Sequence, residues 1–287
     1  MLIKRVLKLF FRDKANVFFS LLAVFIIIGL YVLFLGNLME QDIRERIGFD
    51  SEKAGAVMSA IVLGGMAAVT SVTSSMGALG ICVADKKNAA KDFMTSPAPR
   101  SKIALGYVVG SGAVGLLMTF VAIVLSLAYI ISNGGSVPGA SGVARLLLTA
   151  VLSVLCGNAI VYFVCIFVGS QNAFSALSTV VGTLIGFLMG IYIPIGSLPD
   201  SVQWVIKCFP MSHAASMFRQ VLADADLTVL FAHAPPEALA AFRDNFGIVF
   251  KYGSYSSGFW PSAAVLAATA AAFYALSLLA MRLKPAE

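Results

Sequence analysis

Charged residues are absent from five long stretches of the chain: 15–39, 54–84, 103–144, 146–199 and 252–281. A bilayer core of about 30 Å is crossed by roughly 20 apolar residues in a helix. The first, second and last stretches each hold one crossing. The third holds one crossing and an uncharged loop marked by Asn133-Gly134-Gly135 and Pro138-Gly139. The fourth is long enough for two, folded at Gly169-Ser170-Gln171-Asn172. Six spans are therefore expected, near 17–36, 57–83, 103–130, 145–168, 173–195 and 259–281. Barrel strands are about half as long and alternate in polarity, so the fold class is all-α, a polytopic membrane protein with one transmembrane domain.

Between the spans the pattern changes character. Residues 2–12, LIKRVLKLFFR, set Leu2, Ile3, Val6, Leu7, Leu9, Phe10 and Phe11 on one arc of a helix and Lys4, Arg5, Lys8 and Arg12 on the other. That separation predicts an amphipathic helix in the headgroup plane. Span two reads GGMAAVTSVTSSMGALG, and its small residues suit close packing. Thr70, Ser71, Thr73 and Ser74 in the same span also suit a polar pathway lining. Span five carries Ser178, Gly182, Gly186 and Gly190 at four-residue intervals, a flat stripe for a helix crossing within the chain or against a second subunit. After Pro194 and Pro199 come apolar stretches at 202–209 and 213–222, each too short to span, which read as re-entrant or interfacial helices. A longer loop, 224–258, leads to the last span.

Charge sets the expected orientation. With the N-terminus inside, the cytoplasmic pieces hold twelve basic residues against four acidic ones, and the other side holds eight against ten, so the net +6 divides into +8 and −2. Both termini are then cytoplasmic, the segment 84–102 is a cytoplasmic loop and 196–258 is extracytoplasmic. The first apolar run is too long for a signal-peptide core and is read as retained. The basic balance follows from topology, and nucleic acid is not implied. Of the four cysteines only Cys208 falls outside the spans, so no disulfide framework is expected.

Catalytic patterns are missing from the sequence. It holds no GxxxxGK[ST] phosphate loop, no HExxH and no GxSxG elbow, and His213 and His233 stand apart from any metal-ligand spacing. No metal site is expected. No ionisable residue sits mid-span, which disfavours a proton-driven mechanism. The loop 84–102 carries DKKNAAKDFMTSPAPRSK from Asp85 onward, enough for about three helical turns before Ser96-Pro97 ends them. Phe93 and Met94, flanked by Lys87, Lys91 and Asp92, form either a knob for a partner's groove or an anchor at the lipid surface.

The stretch DKKNAAKDFMTSPAPRSKIALGY resembles the span 2–3 loop of ABC-2-type exporter permeases, with [ST]-P-x-x-R before span three. IPIGSLPDSVQWVIKCFPMSHAASMFRQVL is similar to that family's block after span five, with P-x-x-x-L-P and then P-x-x-H ending in an arginine. The chain departs from the family at Asn88-Ala89-Ala90 and in its longer outer loop. The resemblance implies a permease subunit without its own ATPase site, and ATP and Mg are supplied through cytosolic ATPase partners. It implies a homo- or heterodimer that exports an amphipathic or apolar substrate across the cell membrane. It assigns coupling to Asp85, Lys87, Lys91, Asp92, Phe93, Met94, Ser96, Pro97 and Arg100. It assigns an outer gate to Pro194, Leu198, Pro199, Pro210, His213 and Arg219, the last two of which also suit capping and snorkelling. A secondary transporter and a membrane assembly or sensor protein stand as alternatives.

Overall fold

The computed structural model describes residues 2–30, 53–88, 99–253 and 255–283. Among them are ten α-helices. In chain order they are α1 (Leu2–Arg12), α2 (Lys14–Leu30), α3 (Lys53–Asn88), α4 (Arg100–Ser132), α5 (Ala140–Phe167), α6 (Gln171–Leu188), α7 (Asp200–Cys208), α8 (Pro210–Leu230), α9 (Pro236–Asn245) and α10 (Phe259–Leu283). A hairpin of β1 (Phe250–Tyr252) and β2 (Tyr255–Ser257) precedes α10. Five helices, α3, α4, α5, α6 and α10, are long and apolar enough to cross a membrane. The first expected span begins in α2, and its remainder, 31–36, lies outside the described residues.

The small residues of span two decide the architecture. α3 is the hub, buried along 94% of its most apolar window, and it packs against α1, α2, α4, α5, α6 and α8. Such crowding needs backbones that approach closely. A Cβ on Gly64 would lie 3.0 Å from the Arg219 backbone nitrogen, and one on Gly65 would lie 2.8 Å from Ile191. By contrast α6 and α10 are only 17% buried in their corresponding windows, and their large apolar side chains, such as Val180, Leu184, Phe187, Leu278 and Leu279, face outward.

α1 is docked on protein, and part of its apolar face stays exposed. Val6 and Phe10 are buried against α4 and α3, while Ile3, Leu9 and Phe11 stay exposed. Glycine makes the docking possible, since a Cβ on Gly110 would come within 2.9 Å of Val6 Cβ.

Beyond α6 the structure differs from the sequence expectation. The second short segment, expected at 213–222, belongs to a helix of 21 residues, α8, most of it buried. Asp224 and Asp226 suggest a loop when read in sequence, but each is neutralised in space. Asp224 accepts from Arg243 at 3.0 Å. Asp226 is fully buried and accepts from Lys53 Nζ at 3.0 Å and from the Ser136 backbone and hydroxyl at 2.9 and 2.7 Å. The loop expected at 224–258 is thus the end of α8, then α9 and the hairpin, a folded cap over one end of the bundle.

The Asp226 cluster joins the start of α3, the 133–139 turn and α8. Burial alone would raise its carboxyl pKa, yet the Ser136 and Lys53 hydrogen bonds outweigh burial and hold it below the usual range. A depressed pKa contributes stability that is present above the unfolded value, about 3.9, and lost as pH falls through the folded value. Asp226→Asn is expected to cost about 2 kcal/mol at pH 7, less than a fully buried pair because Lys53 keeps 30% exposure. Thermal unfolding in detergent checks this, and the gap between variant and wild type should narrow as pH falls below about 3.9.

Candidate functional site

At one end of the bundle α3 runs out into the segment carrying the expected coupling residues. Lys91, Asp92, Phe93, Met94, Ser96 and Pro97 lie outside the described residues, as do the side chains of Lys87 and Arg100. What the structure places is the root of that segment. Asp85, the first acid after a long charge-free run, is 7% exposed and receives the Arg5 guanidinium through both oxygens, one at 2.9 Å. Tyr107 Oη donates to the same carboxylate. Next to it, Lys86 Nζ donates to the Cys165 and Val168 carbonyls at 2.7 and 3.1 Å, a cation on the C-terminal end of α5 where the helix dipole favours it. The root of the segment is therefore bonded to α1, α4 and α5 at once. Arg5 and Tyr107 were not among the sequence candidates. The signal for them was a carboxylate, Asp85, closing a long charge-free run, together with the cations of the N-terminal helix.

The polar residues of span two divide. Thr70 and Ser71 are buried and bond back to their own helix, at Met66 and Ala68, and Ser71 also meets Ser153 of α5. Ser74 is buried and its hydroxyl has no hydrogen-bond partner among the described residues. Only Thr73 borders an open apolar groove of about 260 Å³ between α2, α3 and α6, with Phe19, Ile26, Gly182, Ile185 and Tyr192 in its walls.

The stripe on α6 is also split. Gly182 is open, with no described residue within 4 Å of where its Cβ would stand. Gly186 lies under the Tyr192 ring, so a side chain there would displace it. Ser178 is half-buried. Gly190, in phase by sequence, lies beyond the end of the helix in a turn with φ +61°, a conformation that glycine adopts without strain. Helical phase therefore does not extend to it.

Arg219 is the centre of the cap. It is completely buried, and no carboxylate pairs with it among the described residues. Its guanidinium donates to the carbonyls of Ile61 (3.0 Å), Met189 (2.6 Å), Gly190 (2.9 Å) and Gly247 (3.4 Å). Met189 and Gly190 follow the last turn of α6, so the cation meets the negative end of that helix. One side chain thereby ties α3, the exit of α6 and the turn before the hairpin to α8.

His213 lies one turn from the start of α8, 4% exposed, between the Ser262 hydroxyl and the Lys207 carbonyl, each at 3.2 Å. Burial lowers its pKa, with the Lys207 carbonyl opposing, which favours the neutral ring. The prolines shape the connections. Pro194 leads a short 3-10 turn, Ile195–Ser197, Pro199 precedes α7, and Pro210 opens α8, where a missing N–H costs nothing. Leu198 packs beside Ile195, Ile206 and Phe250.

The family model for the ABC-2 type transporter matches residues 1–223. No curated protein matches the chain. The match takes in the docked N-terminal helix, the α3 hub, the root of the 89–98 segment and most of α8. With five helices fit to cross a bilayer, the chain belongs to the ABC-2 type transporter family and is a multi-pass membrane permease of an ABC transporter.

Proposed function

We propose that the chain is the membrane half of an ATP-driven exporter, working as a dimer with cytosolic ATPase subunits. The bond cluster at Asp85 carries this reading. An ATPase seated on 84–102, through Lys91, Asp92, Phe93 and Met94, moves the end of α3. Because Asp85 is bonded to Arg5 and Tyr107, α1 and α4 must move with it. The thin burial of α6 and the open face at Gly182 support a second permease subunit on that side. The groove beside Thr73 is walled almost wholly by apolar and aromatic side chains, which supports an amphipathic or apolar substrate. The cap around Arg219 and His213 then serves as the outer gate, with both termini on the cytoplasmic face of the cell membrane. ATP-dependent uptake of a hydrophobic dye into inside-out vesicles of the native host tests this. A strain lacking the chain should take up less, and equal uptake with and without the chain would exclude such substrates.

A further inference from the structure

At the cap end a second cleft, about 250 Å³, lies where α5 and α10 begin, walled by α5, α8, α9 and the stretch before the hairpin. Its charged lining is Arg145, Arg243 and Asp224, a net charge of one positive unit. Asp224 is used by Arg243 Nη2 at 3.0 Å. Arg243 Nε is buried and has no hydrogen-bond partner among the described residues. Arg145 packs 5.6 Å from the centre of the Phe259 ring, and neither a hydrogen bond nor an ion pair engages its guanidinium among the described residues. The same cleft takes in the start of α5, Gly139 to Gly142, where no side chain caps the first N–H groups. An exposed guanidinium, a buried guanidine N–H without a partner among the described residues and a helix start without a side-chain cap thus line one cleft, whose one carboxylate, Asp224, is already engaged by Arg243.

We propose that this cleft binds a singly charged phosphate ester, carried by the headgroup of a membrane phospholipid. Arginine forks and helix N-termini both suit phosphate oxygens. The net charge of one matches a phosphodiester better than a doubly charged phosphomonoester. Around the cleft Val221, Val249 and Phe259 supply apolar wall, and Trp260, 64% exposed, stands one residue further along α10. An amphipathic ring at a helix start marks headgroup depth. This proposal rests on α5 and α10 crossing the membrane and is independent of how the ATPase docks.

Native mass spectrometry of the full chain, released from micelles containing phosphatidylglycerol, tests the site. The wild type should retain one lipid molecule, and Arg145→Gln should retain it about tenfold less, the loss of a charge-assisted hydrogen bond. Arg243→Gln, on a separate helix, should weaken retention in the same way, so the test stands even if one variant folds poorly. Millimolar inorganic phosphate should not displace the lipid, and diacylglycerol of the same chain length should not be held. Unchanged retention in both variants overturns the proposal. So does displacement by phosphate alone, which would make the cleft a free-anion site, or equal retention of diacylglycerol, which would leave only apolar contact.

Discussion

Replacing Arg219 with leucine is expected to destabilise the protein by about 4 kcal/mol, the sum of lost charged hydrogen bonds and newly unsatisfied buried carbonyls. Leucine keeps apolar volume but offers no donor to Ile61, Met189 or Gly190. Those carbonyls come from two separate parts of the chain, so the cap loses its attachment to both α3 and the exit of α6. Arg219→Lys preserves the charge but not the planar fork, and about half the loss is expected to remain. The packing leaves no slack for another solution, because Gly65 lies within 2.9 Å of Nη2, measured from an added Cβ. Detergent-phase thermal unfolding of the two variants checks the order: wild type, then lysine, then leucine.

Asp85→Asn is expected to act on function more than on folding. The carboxylate holds Arg5 and Tyr107 together, and Arg5 keeps 40% side-chain exposure, so its loss leaves no deeply buried unpaired charge. Stability should fall by only about 1 kcal/mol, as for a partly exposed pair. Transport per ATP hydrolysed should fall about tenfold, because motion of α3 no longer carries α1 and α4. Arg5→Gln should give the same defect, and the double variant should be no worse than either single one, as residues acting as one unit behave. Dye efflux and ATP turnover measured on the same membranes separate uncoupling from loss of ATPase binding.

Much of the bundle was legible because charge gaps in a membrane protein report helices directly. The runs at 54–84, 103–144, 146–199 and 252–281 hold the five helices fit to cross. The amphipathic face of 2–12 was equally plain, but not that half of it meets Gly106 and Gly110 of α4, since a partner glycine leaves no mark on the helix it receives. The length of α8 was hidden for an electrostatic reason. Asp224 and Asp226 break an apolar pattern in one dimension, and the Lys53 and Arg243 that neutralise them stand elsewhere in the chain. Four-residue spacing brought Gly190 into phase with Gly182, yet spacing does not show where a helix stops. Arg219 was found by type and position. Its burial was foreshadowed only by the Gly64-Gly65 pair, which clears room for it on α3.

The most direct test of the coupling between this permease and an ATPase is co-purification from gently solubilised native membranes, with wild type compared against Phe93→Ala/Met94→Ala. A cytosolic protein with a nucleotide-binding phosphate loop should accompany the wild type and be lost or strongly reduced with the double variant, while Asp85→Asn retains it. If no such protein accompanies a folded wild type, or if the double variant holds it undiminished, the segment 84–102 is not the docking element and the proposed route of force through Asp85 fails.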